Sequence, residues 1–493
     1  MDQNVESIKQ KAFSGTIWNL ISNLLTKFAS MVVQLVLARL ILPEEFGTVA
    51  LLNIFITLSA VFINTGFATA LIQKKDLTEI DKSSAFFMSC GISVVLFILI
   101  FFFAPFIAKF YEDPKLTSVL RVYAIVVILA GLSSVHHSLV SKEMKFKIIV
   151  FKGLITVAVQ GTVGIILAIL GYGVWALVLS YIVGSFVSTV YFWFAVRWRP
   201  KFLFSWTSVW AMFKFSSNVL LSSLFNTVYS DIRALIIGKV YTTETLAYYD
   251  RANLIRGYVF DTTIGAISTV MLPALSKVND DIYKVKQGLR RIVQLNMFVS
   301  TPMRVGMILV AEPLILLLLG QHWSESVPFL QLICLTNLIA PTMNRTNAYL
   351  AIGKSGIALR SQLINKGTIL LGILLTARIS VYTVVLSALV GNTVAFIEGL
   401  IVNKKYLGYT IKEQFADILP ALLLSGAMGV LVYLVSLLPF SMFAKLLSQC
   451  IVGLVVYVGF SVLFKYKSFY YFIDLLKGML RKKGEISNAE SHK

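Results

Sequence analysis

Hydrophobic positions fall in runs of eighteen or more that recur along the whole chain. Each run is long enough to cross the roughly 30 Å hydrocarbon core of a bilayer as a helix. Lipid offers the backbone no partner, so a run of this kind satisfies its own N–H and C=O groups by coiling. The pattern predicts fourteen spans, with approximate limits 15–41, 46–71, 83–110, 117–140, 148–170, 174–196, 210–237, 252–275, 292–319, 327–351, 360–377, 382–402, 417–438 and 443–464. Twelve is the alternative count, because only Gly171-Tyr172-Gly173 parts the fifth run from the sixth, and a few residues around Arg378 part the eleventh from the twelfth.

The pattern is also written twice. Displaced by 200 residues, Ser14–Gln73 returns as Lys214–Pro273. The register is gap-free through Phe13/Phe213, Leu20/Leu220, Ser22/Ser222, Leu24/Leu224, Ser30/Ser230, Leu35/Leu235, Glu44/Glu244, Asn53/Asn253 and Thr69/Thr269, with Arg39 matched by Lys239. The polar Glu and Asn matches are the informative ones, since Leu and Ser are common in any apolar helix. A duplicated helical bundle follows, and such repeats in membrane proteins face a shared substrate path.

Composition agrees: 57% of the residues are hydrophobic and 14% charged, against about a quarter charged in soluble domains. The fold class is an all-α polytopic membrane protein. The net charge of +20 is a topology signal. Lys and Arg gather at one set of span ends, among them Lys74, Lys75, Lys142, Lys145, Arg197, Lys284, Arg290, Lys404 and Lys465, while the other ends carry scattered cations such as Lys109, Lys115, Lys239 and Lys445. The rule that positive loops stay inside puts both termini in the cytoplasm. With no soluble domain to carry a basic patch, nucleic acid is not a partner.

The domain organisation expected is a cytoplasmic lead at 1–13, a six-helix bundle at 14–201, a second at 202–412, two additional spans at 413–465, and a cytoplasmic amphipathic helix and tail at 466–493. The lead lacks the cleavage site of a secretory signal, so the first span is expected to be retained. Val278–Arg291 reads as the longest inside loop. Tyr470, Tyr471, Phe472, Leu475, Leu476, Met479 and Leu480 recur at helical spacing among cations, the pattern of a helix lying on the inner leaflet.

Enzyme chemistry is missing. Cys90, Cys334 and Cys450 are single and distant, and adjacent His136 and His137 point about 100° apart on a helix, so neither set makes a metal site. No P-loop, G-x-S-x-G or H-E-x-x-H occurs. Asp280-Asp281 reads as a solvated face. What remains is charge inside the spans, which is costly in lipid and functional by default. Lys27, Arg233, Arg256, Arg304 and Arg345 are the cations, and Asp231, Asp261 and Glu398 the acids. Asp231 with Arg256, or Asp261 with Arg233, could neutralise one another across neighbouring helices. Glu398 and Arg345 are near enough to the inner boundary to snorkel. Lys27 and Arg304 lie near mid-depth with no acid within a turn, so they are expected to face a water-filled cavity that accepts an anion. Pro302 is expected to interrupt its helix and free backbone groups.

Ala38-Arg39-Leu40-Ile41-Leu42-Pro43-Glu44-Glu45-Phe46-Gly47, with Gly66-Phe67 and Ala70-Leu71-Ile72-Gln73, resembles the opening signature of bacterial polysaccharide flippases, the Wzx-type exporters of O-antigen, capsule and teichuronic acid in the MOP superfamily. Lys142-Glu143-Met144-Lys145-Phe146, Gly171-Tyr172-Gly173-Val174-Trp175-Ala176-Leu177, Leu246-Ala247-Tyr248-Tyr249-Asp250-Arg251-Ala252 and Leu272-Pro273-Ala274-Leu275-Ser276 extend the likeness over nearly the whole chain. The resemblance implies two pseudo-symmetric six-helix bundles in a V, two further helices, and alternating access in the bacterial inner membrane. It implies that an undecaprenyl-pyrophosphate-linked oligosaccharide is flipped from the cytoplasmic to the outer leaflet for surface polysaccharide synthesis. Substrate anions would meet Lys27, Arg233, Arg256, Arg304 and Arg345. No cofactor is expected; a proton or sodium gradient is the usual drive, with Asp231, Asp261 and Glu398 as titratable candidates. Expected partners are the lipid-linked oligosaccharide, membrane lipids, a polysaccharide polymerase and a chain-length regulator, and the monomer is the family default. Arg39 reads as topological or gating. Candidate sugar contacts are Asn19, Asn23, Asn53, Asn226, Asn337 and Tyr229, each equally readable as interhelical glue. The alternatives are a drug or metabolite exporter of the same fold, and a membrane-embedded polymerase or ligase, which the short outer loops oppose.

Overall fold

The computed structural model describes residues 24–276, 281–474 and 477, with side chains for all of these except 262–276, 343, 344 and 347. Among the described residues every regular element is helical. In chain order they are α1 (24–40), α2 (Pro43–Gly66), α3 (Ala68–Gln73), α4 (Glu79–Tyr111), α5 (Lys115–Tyr123), α6 (Ile125–Lys142), α7 (Phe146–Ile169), α8 (Val174–Ala195) and α9 (Trp206–Val240). There follow α10 (Thr243–Ser276), α11 (Ile282–Leu318), α12 (Ser326–Thr336), a 3₁₀ turn at Ala340–Asn344, α13 (Arg345–Ala351), α14 (Ser355–Thr376), α15 (Val381–Leu407), α16 (Ile411–Ser436), α17 (Met442–Leu463) and α18 (467–474).

Helix covers most of the described residues of every expected span, but among the described residues ten helical segments, not fourteen, are long and apolar enough to cross a membrane by themselves. The remaining four are α1, α10, α14 and the broken segment α12–α13. The first keeps only residues 24–40 in the description, and the last is split by its 3₁₀ turn. The duplication is visible in the backbone: the bend and gap at 41–42 recur at 241–242, and α2 and α10 open at 43 and 243.

Sequence expectations fail at two places along α11. The inside loop expected at Val278–Arg291 is helix from Ile282 onward, because Asp281 Oδ1 accepts from the backbone N–H of Tyr283 (2.9 Å) and Lys284 (3.2 Å) and starts α11 there. The same hydrogen bonds hold the Asp281 carboxyl below the usual carboxylate range. An N-cap of this kind satisfies donors that otherwise need water. Asp280 lies outside the described residues. Nor does Pro302 interrupt its helix: α11 runs through both Pro302 and Pro313.

The continuity has a physical cause. A proline lacks an N–H, so the carbonyl four residues earlier loses its helical donor. Phe298, four before Pro302, accepts instead from Tyr457 Oη at 2.8 Å. Leu309, four before Pro313, accepts from Gln449 Nε2 at 3.4 Å. Both donors stand on α17, which is thereby stitched along α11. The arrangement recurs in α4, where Pro105 releases the Phe101 carbonyl and Arg121 Nε donates to it at 3.1 Å, the guanidinium also stacking 4.4 Å from the Phe101 ring.

The chain divides into two compact units, Met1–Asp250 and Arg251–Lys493. In the first, α2 packs on α9 and α6, and α1 crosses α7 where glycines leave room: a Cβ on Gly153 would lie 3.0 Å from Thr26 and one on Gly161 2.5 Å from Val33. Small residues at such crossings let helices approach closely without a solvent-driven force. In the second, α11 packs on α12, α16 and α17, and Val285, Leu289, Val293 and Met297 build its core with Tyr349, Leu407 and Tyr409. The described part of α18 does not present all its aromatic residues to lipid, as its sequence pattern suggests. Phe469 and Phe472 pack against Phe298 of α11, while Tyr470 and Tyr471 stay partly exposed. Leu475, Leu476, Met479 and Leu480 lie outside the described residues.

Candidate functional site

The second unit holds the most informative charges. Arg304 is 4% exposed on α11, with its guanidinium 4.8 Å from the centroid of the Phe260 ring and Nη1 donating to the Ser300 carbonyl at 3.4 Å. Phe260, itself buried, comes from α10. Arg256, one turn earlier on α10, lies within electrostatic reach of Arg304. Among the described residues no carboxylate pairs with Arg304. Arg256 is paired, but not across helices: its Nη1 and Nη2 reach Asp261 Oδ1 and Oδ2 of the same helix at 3.1 and 3.4 Å, and its Nε donates to Asn253. The cluster of Arg256, Asp261 and Arg304 therefore carries one net positive charge. A planar guanidinium held against an aromatic face keeps its fork of donors aimed in one direction.

Arg345 and Glu398, which the sequence left free either to snorkel or to face a cavity, are buried together. Arg345 Nη2 donates to Glu398 Oε2 at 3.2 Å and to the Ala395 carbonyl at 2.6 Å, and Ser361 Oγ donates to Glu398 Oε1 at 2.8 Å. The pair lies far enough inside the protein, 5% and 11% exposed at the side chains, that reaching the headgroup layer would leave these hydrogen bonds unmade. Gly399 makes the room, since a Cβ there would stand 2.4 Å from the Arg345 Cζ.

In the first unit, Arg233 Nη1 donates to Tyr249 Oη at 3.2 Å, and Asp231 accepts from Thr57 at 3.3 Å and from Ser230 at 3.1 Å. Lys27 is exposed on α1. Sequence reasoning missed Lys152 on α7, half-buried with its ammonium 5.6 Å from the Phe192 ring. Because Gly153 abuts Thr26, Lys152 and Lys27 share one helix crossing. The signal was available, since Lys152 lies inside the fifth predicted span. Also missed was a network in the second unit in which Arg290 forks onto Asp417 (2.7 and 3.0 Å), reaches Glu413 (3.1 Å), and is joined there by Tyr409 and Gln294.

Among the described residues no His, Cys, Asp and Glu gather to hold a metal. His136 is buried between Phe86, Trp193 and Trp198, and the three cysteines are free. Of the candidate sugar contacts, Asn53 accepts from Tyr123 and Asn337 bonds back to the Ile333 carbonyl, whereas Asn19 and Asn23 lie outside the described residues.

Comparison with known proteins agrees with this architecture. The teichuronic acid biosynthesis protein TuaB of Bacillus subtilis is 26% identical over 87% of this chain and 90% of its own. The lipopolysaccharide biosynthesis protein WzxC of Escherichia coli is 24% identical over 69% of each, and the succinoglycan biosynthesis transport protein ExoT of Rhizobium meliloti is 25% identical over 69% of each. Among solved structures, the lipid II flippase MurJ in an inward closed conformation superposes with a TM-score of 0.74 at 18% identity, covering 91% of this chain and 98% of that one. An inward-facing multidrug transporter of the MATE family and MOP superfamily follows at 0.57 and 14%, covering 77% and 94%. These two share the fold. The family model described as polysaccharide biosynthesis protein matches residues 36–328, more than half of the chain, and the chain belongs to that family.

Proposed function

We propose that the protein is a flippase that carries a lipid-pyrophosphate-linked oligosaccharide from the inner to the outer leaflet of the bacterial cytoplasmic membrane, supplying surface polysaccharide synthesis by alternating access. Its relatives are named for teichuronic acid, lipopolysaccharide and succinoglycan synthesis, and its fold is that of a lipid flippase. The observation that carries the reading is Arg304, buried against Phe260 beside Arg256 and with no carboxylate on it among the described residues. A fold that holds a desolvated guanidinium without a counter-charge supports an anionic cargo. The pyrophosphate offers paired oxygens that a guanidinium can fork onto. Lys27 and Lys152 are the corresponding cations of the first unit. Arg345 is engaged with Glu398, so its part is to hold α13 on α15. A proton or sodium gradient drives the cycle, and Asp231 and Asp261 are the acids through which it would act.

The fold, shared with a multidrug transporter, also admits a drug or metabolite exporter, here one of organic cations. Such a cargo would meet the net positive charge of the Arg256, Asp261 and Arg304 cluster, which speaks against it. The test is complementation of a flippase-null strain that carries the matching sugar-assembly genes. Wild type is expected to restore surface polysaccharide, and Arg304→Ala to fail at equal membrane abundance. Failure of well-expressed wild type overturns the flippase reading, whereas restoration by both chains overturns only the role of Arg304.

A further inference from the structure

A second feature of the second unit has no part in this reading. A cleft of about 810 Å³ runs between α11, α16, α17 and the turn into α18. Its walls are apolar, with Leu419, Leu423 and Ala427 along one stripe of α16 and Phe460 and Phe464 across it. From Ala416 to Ala427 that stripe is about 16 Å long at 1.5 Å per residue. Its mouth is polar and basic. Arg290 lies there but is neutralised by Asp417 and Glu413. Lys465 and Lys467 are exposed, and among the described residues neither meets a carboxylate.

The mouth also contains a backbone acceptor that no described side chain answers. Pro420 releases the Ala416 carbonyl, just as Pro105, Pro302 and Pro313 release theirs. Those three carbonyls each receive a side-chain donor. Among the described residues no side chain donates to Ala416, which lines the cleft.

We propose that this cleft is a binding site for an anionic glycerophospholipid of the bilayer, one acyl chain along the α16 stripe, the phosphate at Lys465 and Lys467, and a headgroup hydroxyl on the Ala416 carbonyl. Free cations at one end of a hydrophobic slot match the two ends of such a lipid, and basic pockets at the membrane boundary select anionic headgroups. Another apolar cleft, about 630 Å³ between Phe55, Phe106 and Phe110 of the first unit, lacks this property. Its Lys239 is held by Glu112 at 2.9 Å, whose carboxyl the ammonium keeps below the usual range. It offers an acyl chain a slot but a phosphate no free charge.

The test uses the full chain in detergent, with dioleoyl-phosphatidylglycerol and dioleoyl-phosphatidylcholine titrated separately and bound lipid counted by native mass spectrometry. The expected result is about tenfold tighter binding of phosphatidylglycerol, reduced to parity by Lys465→Gln with Lys467→Gln. Ala427→Trp, at an exposed position that fills the slot, is expected to abolish the tight phosphatidylglycerol site with both lysines intact. Equal binding of the two lipids by wild type means bulk lipid contact only and overturns the proposal. A preference that survives the double substitution also overturns it. Displacement of phosphatidylglycerol by equimolar undecaprenyl phosphate would assign the slot to the carrier instead.

Discussion

Arg304 and Arg345 are each 4% exposed and both belong to the second unit, yet the protein treats them differently. Arg345 has a carboxylate, a backbone carbonyl and a glycine that makes space for it, and the carboxylate has its own serine. Arg304 has an aromatic face, one long hydrogen bond to Ser300, and another arginine nearby. A buried charge costs several kcal/mol unless it is paired. The paired arginine is part of the scaffold. The unpaired one is a cost that the fold bears, which is why the proposed function gives it a ligand that brings negative charge.

Substitutions that separate stability from transport will sharpen or break this contrast. Glu398→Gln leaves Arg345 buried without its counter-charge, and about 3–5 kcal/mol of stability should be lost, read as a large fall in the thermal midpoint of the detergent-solubilised protein. A change within about 0.5 kcal/mol, the range of a surface site, would mean that Arg345 is hydrated and the contrast false. Next comes Gly399→Ala, whose new methyl lands on the guanidinium and should cost about 1–3 kcal/mol by overpacking; an unaltered midpoint would show that the pair can shift freely. Tyr457→Phe removes the donor to the proline-released Phe298 carbonyl, with an expected loss of about 1 kcal/mol by the same measurement. The smallest change in stability belongs to Arg304→Ala, at most about 1 kcal/mol in either direction, since no carboxylate among the described residues is stranded by it. Its effect should appear in polysaccharide export. Arg304→Lys should restore export only in part, because an ammonium cannot fork onto two phosphate oxygens. Full export by the lysine variant would leave charge as the requirement and geometry irrelevant.

The pattern of apolar runs led to helices at every described span, and the 200-residue offset reappears in matching bends and helix starts. Both were legible because a helix in lipid closes its hydrogen bonds within its own segment, so its existence depends on neighbours in sequence. The same reasoning overreached at Pro302, where a local rule predicts a break. Tyr457, 159 residues from Phe298, supplies the missing donor, and no local pattern shows that. It also assigned the Val278–Arg291 stretch to a loop because its charges mask the helix that Asp281 starts.

Which charges would be spent on each other was equally hidden. The sequence marked Arg256, Arg304, Arg345, Asp261 and Glu398 as expensive residues inside apolar runs, because cost in lipid follows from residue type and depth alone. It offered Asp231 as the partner of Arg256, whereas the nearer Asp261 takes that place on the same helix. Glu398 meets Arg345 across 53 residues, a contact that exists because α15 carries Gly399 beside the guanidinium. By itself the sequence determined the helices, their duplication and the positions where charge enters the membrane. Only the tertiary structure decided which of those charges are neutralised, because pairing is set by distances of about 3 Å between groups far apart in the chain, and such distances arise only when helices pack.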